Sequence, residues 1–145
     1  MHQDFLDLLR ALIDNDVRFL IVGAYALGVH GRPGATGDLD VWVDPTPENA
    51  TRVMQARQAF GAPLEEIAAD DFSRPGLLFQ MGLPPVRIDV LTKLSGLTFD
   101  QAWPGRIQAA FGSVVADVIG RDAFITNKRA TGRLRDRGDI ESLGG

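Results

Sequence analysis

The chain contains no cysteine. Disulfides, zinc–thiolate centres and cysteine nucleophiles are therefore excluded, and the absence fits the cytoplasm. No apolar run approaches the roughly 20 residues of a membrane span, so no membrane contact is expected. The opening MHQDFLDLLR is polar and acidic, without the apolar centre of a signal peptide. Basic surplus is also missing: the formal charge is −4, which argues against broad binding to nucleic acid but leaves room for one small contact with a nucleotide or an RNA end. Neither G-x-G-x-x-G nor a Walker A loop with its lysine occurs, so dinucleotide-binding and P-loop readings fail.

What is present fits one domain over residues 1–145. Phe5, Leu8, Leu9, Leu12 and Ile13 recur at helical spacing, predicting an amphipathic helix over about 4–14 capped by Asp4. Val17 to Val22 reads as a strand, with a short helix after Gly23. Thr46-Pro47-Glu48 marks the start of a helix running to about Phe60. Another helix is expected over 64–70. A hairpin follows over 77–81 and 86–91, and a helical turn over 99–103. A last hairpin turns at Gly112-Ser113, with helices over 121–131 and 134–143. The class is α+β, a small mixed sheet flanked by helices.

The chemistry gathers in FLIVGAYALGVHGRPGATGDLDVWV, residues 19–43. Asp38 and Asp40 are two apart on a strand, so their carboxylates share a face while Leu39, Val41 and Val43 take the other. Trp42 has the parity of the aspartates and is expected to line a cleft or an interface. Adjacent carboxylates repel unless something positive lies between them, and an oxygen-rich site suits Mg²⁺. Asp89, on one face with Arg87, is a third carboxylate on an apolar strand. If its strand lies beside that of Asp38, the three meet. Gly23, at a strand-to-helix turn, lets backbone approach a ligand, and the N–H groups after it suit phosphate. Plainer readings stand beside these. Asp is common in turns, Gly23 could be only a tight turn, and the basic residues after Lys128, interleaved with acids, suit a solvated helix face. His30 reads as a helix-end or hydrogen-bonding residue.

Gly23-Ala24, the run His30-Gly31-Arg32-Pro33-Gly34-Ala35-Thr36-Gly37-Asp38-Leu39-Asp40, Asp89, and Asn127-Lys128-Arg129-Ala130-Thr131-Gly132-Arg133 through Asp136 and Asp139-Ile140 occur in that order. Together they resemble the nucleotidyltransferase superfamily, in particular its small single-domain branch related to abortive-infection and type IV toxin–antitoxin nucleotidyltransferases. The likeness runs from about residue 17 to 143. It implies a nucleotidyltransferase-like fold and an enzyme moving a nucleoside monophosphate from an NTP to an RNA, protein or small-molecule hydroxyl. Asp38, Asp40 and Asp89 would be the catalytic, metal-binding residues, holding one or two Mg²⁺ with Mn²⁺ as substitute. Gly23, Ala24, Arg32, Thr36, Lys128 and Arg133 would meet the nucleotide and its phosphates. The resemblance also implies a tRNA or protein acceptor and a cognate toxin or antitoxin as partners to consider. Two positions depart from the pattern: Ala24 stands where many relatives have Gly or Ser, and Gly34 where many have a basic residue. They support the alternative, a catalytically weak or inactive binding module on the same fold.

Overall fold

Alternating and continuous apolar runs build a six-stranded mixed sheet in the computed structural model, which describes residues 1–31, 38–61, 68–74, 76–81, 87–132 and 140. The strands are β1 (Phe19–Val22), β2 (Leu39–Val43), β3 (Leu78–Met81), β4 (Ile88–Leu91), β5 (Ile107–Phe111) and β6 (Val114–Val118), in the order β3-β4-β2-β1-β6-β5. The helices are α1 (Gln3–Asp14), α2 (Gly23–Val29), α3 (Pro47–Phe60), α4 (Phe99–Ala102) and α5 (Arg121–Thr131). Among the described residues no helix is long and apolar enough to cross a membrane.

Register decides what meets what. β1 and β2 run antiparallel with Val22 opposite Asp40, and β2 and β4 run parallel with Asp40 opposite Asp89. β3 completes that side antiparallel to β4, while β6 lies parallel to β1 and forms a hairpin with β5. The central strands are sealed: Leu20, Ile21, Leu39, Val41 and Val43 are fully buried. α1 buries Phe5, Leu8, Leu9 and Leu12 along one stripe and packs against α3.

Three details differ from the sequence expectations. The cap of α1 is His2, whose Nδ1 accepts the Asp4 N–H at 3.0 Å, so Asp4 lies in the first turn. Of the helix expected over 64–70, residues 64–67 lie outside the described residues, and the described end belongs to a 3₁₀ turn, Ala69–Ser73. Trp42 keeps the parity of the aspartates but is only 1% exposed, packed edge-on against Phe99 of α4 at 5.1 Å. It is a core residue because α4 covers that end of the face. The helix expected over 134–143 falls outside the described residues apart from Ile140, which is buried.

α3 begins as expected, with Thr46 accepting the Asn49 N–H and Pro47 at its first turn. Asn49 itself is buried and acts as a clamp. Its Oδ1 accepts the Arg18 N–H at 2.7 Å, and its Nδ2 donates to the carbonyls of Arg18 and Asp44 at 3.0 and 2.9 Å. It thereby ties the start of β1 to the end of β2. Asn49→Ala strands those three backbone groups in the interior. The expected cost is about 2–4 kcal/mol in a chemical-denaturation midpoint, whereas a loss below about 0.5 kcal/mol would mean that water replaces the amide.

Candidate functional site

Strand register brings one end of β1, β2 and β4 together. Asp40 occupies the second position of β2 and Asp89 the second of β4, directly opposite each other. Asp38 precedes β2 and Arg87 precedes β4; the parallel pairing continues through them, because the Leu39 N–H donates to the Arg87 carbonyl at 3.1 Å. β1 delivers Gly23 to the same place. Its φ of +70° is a left-handed conformation that glycine adopts without strain, and a Cβ there would stand 2.1 Å from Asp40 Oδ2. The turn into α2 therefore presses its backbone against the carboxylate.

These residues line a cavity of about 610 Å³. Gly23, Ala24, Asp38, Asp40, Arg87 and Asp89 form one side, and Asn127, Lys128 and Thr131 of α5 another. Lys93, Leu94 and Ser95, just past β4, contribute as well. Asn127 holds that last segment in place by donating to the Ser95 carbonyl at 3.0 Å. Lys128 lies over the Phe124 ring, 5.3 Å from its centre, and its charge acts on Asp40.

Electrostatically the site is strained. The Asp40 carboxyl is pushed up to about 7 from its ordinary 3.8. Burial is the largest cause, followed by the charge of Asp89, a hydrogen bond shared with Asp89 and the charge of Asp38; Lys128 pulls the other way. Arg87 partly neutralises the cluster. Its guanidinium lies 2.6 Å from Asp38 Oδ2, 3.3 Å from Asp89 Oδ1 and 3.4 Å from Asp89 Oδ2. The 3.3 Å approach is close in charge but misaligned for a hydrogen bond, so buried Arg87 Nε and Asp89 Oδ1 both lack a hydrogen-bond partner. The pair Asp40 and Asp89 thus calls for a shared proton or a cation between them, and all-oxygen donors suit a hard divalent ion. Among the described residues, no three carboxylate or imidazole side chains stand grouped as a ready-made ligand set.

Of the residues singled out in the sequence, Gly23, Ala24, Asp38, Asp40, Asp89 and Lys128 line one cavity. Arg32, Thr36 and Arg133 lie outside the described residues. His30 is an α2 end residue whose Nε2 meets the Ile119 carbonyl at 2.7 Å, away from the carboxylates. Arg87, Lys93 and Asn127 were not among the expected site residues. The shared parity of Arg87 and Asp89 carried a signal for the first; Lys93 had none.

No protein-family model matches the sequence, and no curated protein matches it significantly. Solved structures do match. The lincosamide antibiotic adenylyltransferase LnuA, in its lincomycin-bound form, superposes with a TM-score of 0.64 at 13% identity, over 100% of this chain and 97% of that one. The fold is nucleotidyltransferase-like. A Thermotoga maritima protein assigned as a nucleotidyltransferase, TM1012, gives a TM-score of 0.59 at 12% identity, over 99% and 92% of the two chains. At such identities the likeness carries the nucleotidyltransferase-like architecture and no residue roles.

Proposed function

We propose that the protein is a Mg²⁺-dependent nucleotidyltransferase that moves a nucleoside monophosphate from an NTP to a hydroxyl acceptor. The observation that carries this reading is the register match of Asp40 with Asp89 beside the Gly23 turn, on a fold shared with LnuA. The acceptor hydroxyl attacks the α-phosphorus, the bond to the β-phosphate breaks, and pyrophosphate leaves with the electron pair. Bound Mg²⁺, with Mn²⁺ as substitute, would supply charge neutralisation for the triphosphate and the leaving group. Asp38, Asp40 and Asp89 are the residues to hold it. Asp89 would take the hydroxyl proton, a role supported by its Oδ1, which lacks a hydrogen-bond donor. The backbone of Gly23 and Ala24 and the ammonium of Lys128, which line the same cavity, would meet the phosphates, and Arg32, Thr36 and Arg133 would be further phosphate contacts. LnuA's bound lincomycin favours a small-molecule acceptor; an RNA or protein hydroxyl, within a toxin–antitoxin pair, is the other acceptor class.

A second reading, a binding module with little or no activity, is favoured by Arg87 bridging two of the carboxylates and by Ala24, which offers no hydroxyl to a phosphate. Thermal melting separates both from a purely structural role. An NTP at about 100 times its dissociation constant should raise the midpoint by roughly 5–10 °C with Mg²⁺ and by little without it. No shift with any NTP would overturn the nucleotide site. Transfer of label from an α-labelled NTP to small-molecule, RNA or protein fractions then distinguishes enzyme from binder.

A further inference from the structure

The geometry points to Arg87 as a positioning residue that couples metal binding to nucleotide binding. The inference rests on the metal–nucleotide reading above. Arg87 is not a surface ornament: it is held at the head of β4 by the pairing that aligns Asp40 with Asp89, and its guanidinium reaches both Asp38 and Asp89. Those are two of the three carboxylates assigned to the cation. A guanidinium and a divalent ion cannot both lie between them, so Arg87 must leave at least one partner when the metal enters. It has room to do so. Its side chain is 33% exposed, whereas that of Asp89 is 10% exposed. It also lines the cavity that the triphosphate would enter. The released fork of N–H donors matches phosphate oxygens in a bidentate way that a lysine cannot copy.

Arg87 therefore competes with the bare metal and cooperates with the metal–nucleotide complex. In the free protein it neutralises Asp38 and Asp89 and lowers their affinity for a lone cation. When the cation arrives with a triphosphate, the displaced guanidinium finds a new anionic partner, so the loss is offset. The protein takes up metal and nucleotide together, in preference to metal alone, and one side chain supplies the coupling.

The test compares two affinities in wild type, Arg87→Gln and Arg87→Lys. One is for Mn²⁺ alone, by calorimetry on metal-free protein. The other is for the Mn²⁺ complex of an α,β-methylene NTP, by the same method. Arg87→Gln should bind Mn²⁺ alone about 10-fold more tightly and the Mn²⁺–analogue complex about 10-fold more weakly. Arg87→Lys keeps the charge without the fork and should move both affinities in the same directions by less. Opposite signs are the signature, because a merely structural ion pair would weaken both or neither. Changes of one sign, or no change, overturn the inference while leaving the metal–nucleotide reading intact. Wild type that binds neither Mn²⁺ nor its analogue complex overturns both. If the glutamine variant does not fold, as judged by its far-ultraviolet circular dichroism, the lysine variant decides on the same signs.

Discussion

Asp40→Asn is expected to reduce nucleotidyl transfer about 10³-fold and, in the metal-free protein, to raise the melting midpoint at pH 8 by roughly 3–6 °C. The two effects have one origin. Asp40 is buried opposite Asp89 and near Asp38, and its carboxyl is pushed up to about 7 from 3.8. Between those values the native chain holds a proton that the unfolded chain has released. The stability contributed by that proton is fully present below about pH 4 and is lost as pH rises through 7. Metal-free wild type should therefore lose stability between pH 5 and 8, and the asparagine variant, which has no proton to lose there, should show a flatter profile. Melting curves in chelator at four pH values, run beside an α-labelled NTP transfer assay, check both arms. Parallel pH profiles for the two proteins would mean that the carboxylates are relaxed without a cation. Retained activity would remove Asp40 from the chemistry.

Much of this site could be read before any coordinates, for a definite reason. Period-two alternation assigns faces, so Asp38 with Asp40 and Arg87 with Asp89 were legible as pairs. What alternation cannot give is the neighbour of a strand. β2 and β4 are parallel and separated in sequence by α3, a 3₁₀ turn and β3, and their adjacency depends on how that connection packs. The meeting of Asp40 with Asp89 was therefore a conditional expectation. Local signals served well where the chemistry was local, as at the Thr46 cap with Pro47 and at the glycine after α5, Gly132, which is left-handed as a helix end favours. They failed where two local solutions compete. His2 and Asp4 each offer an acceptor to a first turn, and only the path of the chain selects His2. Trp42 shows the limit of parity: it shares a face with the aspartates, but Phe99 of α4 closes over it, and a residue's face says nothing of what covers it. Arg87 failed in part in the same way, since its face, shared with Asp89, was legible and its second partner, Asp38 at the head of the neighbouring strand, was not.

Gly23→Ala should be the most damaging single-methyl change at the site, costing about 2–4 kcal/mol of stability and roughly 10²-fold in transfer. The left-handed φ of +70° is one part of the cost. The larger part is local: the new Cβ would stand 2.1 Å from Asp40 Oδ2 and 3.0 Å from its Cγ. Asp40 has no easy retreat, because Asp89 faces it across β4 and Val22 across β1. Either the turn into α2 shifts away from the sheet or the carboxylate tilts out of register, and both separate the backbone N–H groups from the acidic pair. A double-mutant cycle apportions the two parts. In an Asp40→Ala background the carboxylate is gone, so Gly23→Ala should cost only the strain of the left-handed backbone, about 1–2 kcal/mol. Denaturant midpoints of the four proteins measure the difference. An equal cost in both backgrounds would show that Gly23 is needed for its turn alone, and that its contact with Asp40 is incidental to the site.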